Sequence, residues 1–379
     1  MSLDMPPPVS VCILRLSAVG DVCHTLPVVR TLQNAWPDTR FTWIIGKLEA
    51  TLLGDIPGIE FIIFDKSQGW KAAWQLRRAL QARQFDLLLH MQLSLRASLV
   101  SRAVRAPLRL GFDRQRAHDW QWLFTNQRIP YIPRQHVMDS LFGFAEACGV
   151  KRKVLRWDIP MPPEAEAFAQ QQIPAGTPAL IISPCANARF RNFRNWRAER
   201  YAEVADYAAE KLGLRVILTG GPSEAEREYG AHIEAAAHTK PVNLIGCTDL
   251  KQLLALLQCA SVLIAPDSGP AHMATAAGTP VIGLYASTNP ERAAPYFSQR
   301  WCVNRYPQAM REFNHQEAAS ARWGTRVRDP AAMDLITVSD VTGKLDALLA
   351  ARGRGEMLVD VTASTPPHPR PLPLGEGEK

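Results

Sequence analysis

The sequence predicts an α/β protein built as two doubly wound domains, each a parallel sheet covered by helices on both faces. Three observations carry this. Short apolar runs alternate with helix-length amphipathic runs over residues 11–90 and again over 179–285, the pattern of repeated βα units. A proline-rich stretch at 159–178 interrupts the alternation and reads as a linker. At 379 residues the chain is too long for one ordinary core, so two domains are expected.

The start (1–10), with three consecutive prolines, is expected to be disordered. Residues 11–16 read as a strand, 17–21 (SAVGD) as a turn and 22–36 as a helix. Pro27 then falls in that helix's first two turns, near where proline is best tolerated. Strand-like runs follow at 41–45, 59–64 and 85–90. A helix over 71–83 is expected to turn Trp74 and Leu76 to the core and Arg77 and Arg78 to solvent. Residues 108–112 read as a strand and 137–148 as a helix stopped by Gly149. The first domain therefore spans 10–160 and the linker 161–178.

Beyond the linker come strand 179–183, helix 197–212, strand 215–219, helix 224–237, strand 242–245 and helix 250–259. A strand over 262–265 is broken by PDSGP. A small-residue helix over 271–277 then ends at Gly278-Thr279-Pro280, before a strand over 281–285. This second domain spans 179–335. Residues 338–352 read as a closing helix, and 353–379, rich in Pro and Gly, as a disordered tail. Doubly wound sheets bind ligands beyond the carboxyl ends of their strands, so a cleft lined by both domains' turns is the expected site.

Hydrophobic residues at 47% and charged residues at 21% fit a soluble globular chain. No apolar run reaches the roughly 18–20 residues that cross a bilayer, and the start lacks a signal-peptide pattern, so a cytoplasmic chain is expected. Seven scattered cysteines without a C-x-x-C pair agree with a reducing compartment. The nine histidines show no metal-ligand spacing, and no metal site is expected. Charge is uneven: 71–134 holds twelve Lys or Arg against three Asp and no Glu, a net +9 where the whole chain carries +7. Such a face suits an anionic partner (phosphate-bearing lipid, acidic sugar or nucleic acid) or is simply solvated.

The polar chemistry gathers at strand-end turns. In the first, Gly20 precedes Asp21 at a helix start. A single glycine is not the G-x-G-x-x-G of a dinucleotide site, which weakens an oxidoreductase reading. Asp21 can cap the helix or act as general base on a sugar hydroxyl. Ser17 and Gly20 belong to the same turn, and His24, one helical turn further in, reads as a hydrogen-bonded structural group. In the second turn, SPCAN (183–187) leads through Arg189, Arg191 and Arg194 to Trp196, and clustered arginines at a helix start suit a diphosphate. Arginine and aromatic residues also serve nucleic acids, but these form no long stripe and no RNA-binding signature, so no nucleic acid is expected. In the third, TGGPSE (219–224), the glycines let a ligand approach, and a following acid can accept from ribose hydroxyls; no P-loop lysine follows. At the PDSGP turn, outward N–H groups and the helix dipole favour phosphate, with Asp267 or Ser268 as a plain N-cap the alternative.

Together these residues resemble glycosyltransferase family 9, the ADP-heptose:lipopolysaccharide heptosyltransferases. The likeness rests on SAVGDVCHTLP, SPCAN…RNW, LTGGPSE, PDSGPAHMA and GTPVIGLYASTNPER, in family order over roughly residues 11–300. It implies a GT-B architecture: two Rossmann-like domains facing each other across a cleft, acceptor on the first and nucleotide sugar on the second. It also implies inverting, metal-independent heptose transfer from ADP-heptose, with no cofactor, to the Kdo/heptose inner core of lipopolysaccharide. By the same resemblance Asp21 is the catalytic base with Ser17, Gly20 and His24 on the acceptor side, while Asp267, Ser268, Gly269 and His272 hold the donor diphosphate. Glu226 contacts the ribose, with Glu224 the alternative register. Arg194 stands where the family usually has a lysine, and is read with Asn187 as donor-binding; arginine keeps the charge but is a planar fork rather than a point. A lipid A-type acceptor is anionic and lies on the inner membrane's cytoplasmic face, so peripheral, salt-sensitive membrane contact by the basic first domain is expected. A GT-B transferase of another nucleotide sugar, and a nonenzymatic nucleotide-sugar or polyanion binder, are the rival readings.

Overall fold

The computed structural model describes residues 6–186 and 192–359. The chain divides into two compact units, the first ending at Pro160 and the second beginning at Met161. Most of the stretch expected as a tail, from residue 360 onward, lies outside the described residues, as do residues 1–5.

The first unit runs β1 (Ser10–Leu14), α1 (Val19–Ala35), β2 (Arg40–Gly46), α2 (Lys47–Leu53), β3 (Ile59–Phe64) and α3 (Trp70–Leu80). It continues through β4 (Leu87–His90), α4 (Leu95–Ser101), β5 (Leu108–Gly111), β6 (Gln127–Arg128) and α5 (Val137–Ala147). All strands pair in parallel, in the order β3-β2-β1-β4-β5-β6. Val11 to Leu14 of β1 are fully buried, which suits a central strand covered on both faces, whereas edge strand β3 is only partly buried. The direction of winding reverses between β1 and β4, and ligands of such sheets gather at that switch point.

Helix α1 begins at Val19 rather than at residue 22, so Gly20 and Asp21 belong to its first turn and not to a preceding loop. The cause is local: the Asp21 carboxylate accepts the Ala18 N–H at 3.1 Å, closing the helix start from inside. Pro27 is thereby interior, and cannot donate to the Cys23 carbonyl one turn back. The Trp157 indole N–H fills that place at 2.8 Å. Helix α3 also differs from expectation. Its buried face is Ala72, Leu76 and Leu80 at four-residue spacing, and this leaves Trp74 outward and 55% exposed.

The second unit runs α6 (Pro163–Gln172), β7 (Ala179–Ile182), α7 (Ala198–Leu212), β8 (Arg215–Leu218), α8 (Glu224–Ala236), β9 (Val242–Asn243) and α9 (Leu250–Cys259). Then follow β10 (Val262–Pro266), α10 (Gly269–Ala277), β11 (Val281–Tyr285), α11 (Pro290–Ala293), β12 (Val303–Asn304), α12 (Tyr306–Asn314) and α13 (Val338–Gly353). Its six strands are again parallel, in the order β12-β11-β10-β7-β8-β9, with the switch between β7 and β10. Much of the stretch read as a linker is α6. Pro163 sits where proline suits a first turn, and the helix buries Ala165 and Ala169 and packs against α9. Helix α10 stops at Gly278, whose φ of 77° is left-handed and open to glycine at no steric cost.

Candidate active-site residues

In the first unit, Asp21 sits beyond the carboxyl end of β1, at the switch point. Its Oδ2 takes both the Ala18 N–H and an ion pair with Arg15 Nη2 at 2.5 Å, while the side chain stays 37% exposed. Arg15 is nearly buried and also donates to the Met91 carbonyl just past β4. Gln92 ties the same turn from β4's end, accepting the Leu16 N–H at 2.6 Å and donating to Ser17 Oγ at 3.1 Å. Asp21 is thus fixed through one oxygen by two groups that follow β1, and these are steadied in turn by the end of β4. Gly20 is buried in the first turn of α1. His24 lies inside the unit, 3% exposed, with its ring edge-on to His136 of the α5 start; the structure does not bring it to the surface with Asp21.

Glu49 of α2 is a buried carboxyl beside this turn that sequence reasoning missed. Burial pushes it up, its own backbone hydrogen bond and Lys66 oppose that, the Asp21 charge adds to the rise and Arg15 counters it. Its position explains Gly46: a Cβ there would lie 2.3 Å from the Leu16 carbonyl oxygen and 2.4 Å from Glu49 Oε2. Gly46→Ala should therefore cost about 1–3 kcal/mol of stability, the usual range for overpacking. Denaturant unfolding checks this, and an unchanged midpoint would rule out the crowding.

In the second unit the PDSGP turn sits at the end of β10, beside the end of β7. Ser268 is the N-cap of α10, yet its side chain makes no capping hydrogen bond, and its buried Oγ has no partner among the described residues. The plain-cap alternative is therefore not what the residue does. Asp267 is 9% exposed. Its carbonyl accepts from Arg194 Nη1 at 2.8 Å, its Oδ2 lies 3.5 Å from the same nitrogen, and its Oδ1 lies 3.8 Å from His272 Nε2. Burial pushes the Asp267 carboxyl up, but the His272 ring and the charges of Arg194 and Arg326 outweigh it and hold the group below its ordinary value. Arg194 is aimed by its own loop. Asn192 Oδ1 accepts the Arg194 N–H at 3.1 Å, and Asn195 Oδ1 accepts the Ala186 N–H at 2.8 Å. Asn187, Arg189 and Arg191 lie outside the described residues.

At the end of β8, Glu226 turns back onto its own glycine turn, accepting the Gly221 N–H at 2.6 Å and the Ser223 hydroxyl at 3.3 Å. Glu224, the alternative register, is exposed at the first position of α8. Ser183 and Thr219 share a hydroxyl hydrogen bond at 2.6 Å, pinning the ends of β7 and β8 together. Arg326, also missed from sequence, is brought near Asp267 because the Ser287 carbonyl past β11 accepts the Val327 N–H at 2.9 Å. Among the described residues no group of three or more His, Cys, Asp or Glu is arranged to hold a metal ion, and no helix is long and apolar enough to cross a membrane.

Comparison with known proteins agrees with this fold. The profile of glycosyltransferase family 9 (heptosyltransferase) matches residues 73–321. The chain is 42% identical over 351 residues to the lipopolysaccharide core heptosyltransferase OpsX of Haemophilus influenzae, covering 92% of this chain and 99% of that one. Among solved structures, the glycosyl transferase family 9 protein of Veillonella parvula matches with a TM-score of 0.75 at 22% identity, over 92% of this chain and 99% of its own. The E. coli heptosyltransferase WaaC with ADP matches at 0.66 and 19% identity, over 89% of this chain and 99% of its own. At such identities the structures speak for the fold alone: a GT-B pair of Rossmann-like units. Sequence relationship carries the rest, and the chain belongs to glycosyltransferase family 9, the heptosyltransferases.

Proposed function

We propose that this chain is an inverting, metal-independent enzyme that moves heptose from ADP-heptose to the Kdo/heptose inner core of lipopolysaccharide. The observation that carries the reading is the start of α10, where Arg194 and His272 converge on buried Asp267 and the Ser268 side chain leaves the helix N-terminus uncapped. A helix start with its N–H groups turned outward, next to a fixed guanidinium, is a seat for a diphosphate. Arg194 and the dipole of α10, with Gly269 as its first residue, meet the charge that grows on ADP as it leaves. Glu226 takes the ribose. Asn187 joins this donor set by the family pattern.

On the acceptor side, Asp21 has one oxygen held by Arg15 and Ala18 and a side chain still partly open to solvent. That geometry suits a fixed general base. The acceptor hydroxyl loses its proton to Asp21 as its oxygen bonds to the anomeric carbon, and the bond from that carbon to the ADP oxygen breaks on the opposite face. Configuration is inverted, and the proton ends on Asp21. Ser17 and Gly20 border the acceptor. The chain works in the cytoplasm, with the basic surface of its first unit drawn to the anionic inner membrane in a salt-sensitive way.

Mass spectrometry of the product, with ADP release followed in parallel, tests the reading. ADP-heptose and a Kdo-bearing acceptor should give a product heavier by one heptose, with the rate unchanged by chelator. ADP should bind and UDP or GDP should not. Transfer from a UDP- or GDP-sugar instead would assign another donor, and binding of ADP-heptose without turnover would leave a nonenzymatic binder.

A further inference from the structure

We propose that the outward faces of α3 and α4 in the first unit form a docking surface for a bilayer rich in anionic headgroups, with indole rings seated in the headgroup layer. This deepens the reading of a lipid-borne acceptor and rests on it for its purpose, but the surface itself is argued from the side chains. Helix α3 buries Ala72, Leu76 and Leu80 and shows the solvent Trp70 (75% exposed) and Trp74, one helical turn apart. Two neighbouring exposed indoles on one helix are uncommon on a surface that meets only water. The same helix exposes Lys71, Arg77 and Arg78 and contains no acid, and the Arg78 guanidinium lies 5.6 Å over the Trp74 ring.

Helix α4 extends the surface. Its Ala97 and Val100 join Ala72, Leu76 and Leu80 in one core cluster, so the two helices cover the same face of the sheet. Its outward side holds Leu95 and Leu99, again one turn apart, with exposed Arg96 and, directly after the helix, exposed Arg102. The Asp119 carboxylate accepts the Leu95 N–H at 3.3 Å, which brings exposed Trp120 to the start of α4. Three of the twelve bases counted from sequence are engaged elsewhere: Arg83 with Glu60, Arg116 with Asp113, and Arg109 with carbonyls of its own unit. The cations of α3 and α4 remain turned outward.

Tryptophan and leucine interleaved with lysine and arginine are the composition of a surface that lies in a headgroup layer: the cations meet phosphates and the rings reach below them. A polyanion such as nucleic acid would use the charges and leave the leucines wet. Placement agrees as well. Trp70 and Leu95 begin the helices that follow β3 and β4, so they stand at the end of the parallel sheet that also carries Asp21. A bilayer seated there lies beside the proposed acceptor turn.

Co-sedimentation of the full chain with vesicles tests this. It should sediment with phosphatidylglycerol/phosphatidylcholine vesicles and not with phosphatidylcholine alone, and salt should release it. Arg77→Ala/Arg78→Ala should lower the partition coefficient more than about tenfold, since each surface cation contributes about fivefold, and Trp70→Ser/Trp74→Ser should lower it as well by removing both indole anchors. Both variants alter exposed side chains and should melt like wild type, and both should keep transfer to a delipidated, soluble acceptor. The surface is overturned if wild type ignores anionic vesicles, if both variants bind them undiminished, or if a short DNA competes the vesicles off at equal phosphate. Failure of wild type to use the soluble acceptor would overturn the proposed function instead and leave the vesicle result intact.

Discussion

Asp21→Asn should lower kcat for sugar transfer by about 10²- to 10⁴-fold, the span expected when a positioned general base is lost. Donor affinity should stay within about threefold, because the substitution touches only the acceptor step. Asparagine keeps the size of the side chain and an oxygen that can accept the Ala18 N–H, so the start of α1 should survive. What changes is the charge opposite Arg15, which retains its hydrogen bond to the Met91 carbonyl. Steady-state rates paired with calorimetric ADP binding separate the two quantities. A variant with normal kcat removes Asp21 from the chemistry, whereas one that loses ADP binding as well points to a folding defect.

Arg194→Ala should reduce kcat/KM for the donor by about 10²- to 10³-fold, the loss typical of removing one fixed donor to developing negative charge. The side chain does two jobs at once. It donates to the Asp267 carbonyl, holding the turn before α10, and it presents positive charge beside the uncapped helix start. Arg194→Lys separates them: charge is kept and the planar fork is lost, so its kcat/KM should fall between alanine and wild type. Initial rates across donor concentration, with a thermal melt to confirm folding, give the comparison. Equal kcat/KM for all three forms would exclude Arg194 from the donor site.

Much of the fold was legible because its strands are buried on both faces. Residues 262–265 and 281–285 read as continuous apolar runs bounded by Pro and Gly, and the structure has strands at Val262–Pro266 and Val281–Tyr285. Less legible was anything that turns on which side chain takes a place rather than on how apolar a run is. Trp74 reads as a core residue because it is apolar, but Ala72, Leu76 and Leu80 already fill the inward face of α3. The start of α1 was misplaced because Asp21 closes the helix from its third position, which no preceding cap announces. At the candidate site, Asp267, Arg194 and His272 are brought together. The partners that orient them, Asn192 and the Ser287–Val327 link, leave no pattern in sequence, and neither do Gln92 or Glu49 beside Asp21. Arg15 left one faint signal: it is the single charged residue in the apolar run 11–16.

Helix α6 bears on the joint between the two units. Because Pro163–Gln172 folds onto α9, the covalent connection shrinks to a few residues around Pro160 and Pro162. Proline fixes φ, and Pro162, with φ −66° and ψ 141°, holds the chain extended into the first residue of α6, so the helix starts where the connection ends.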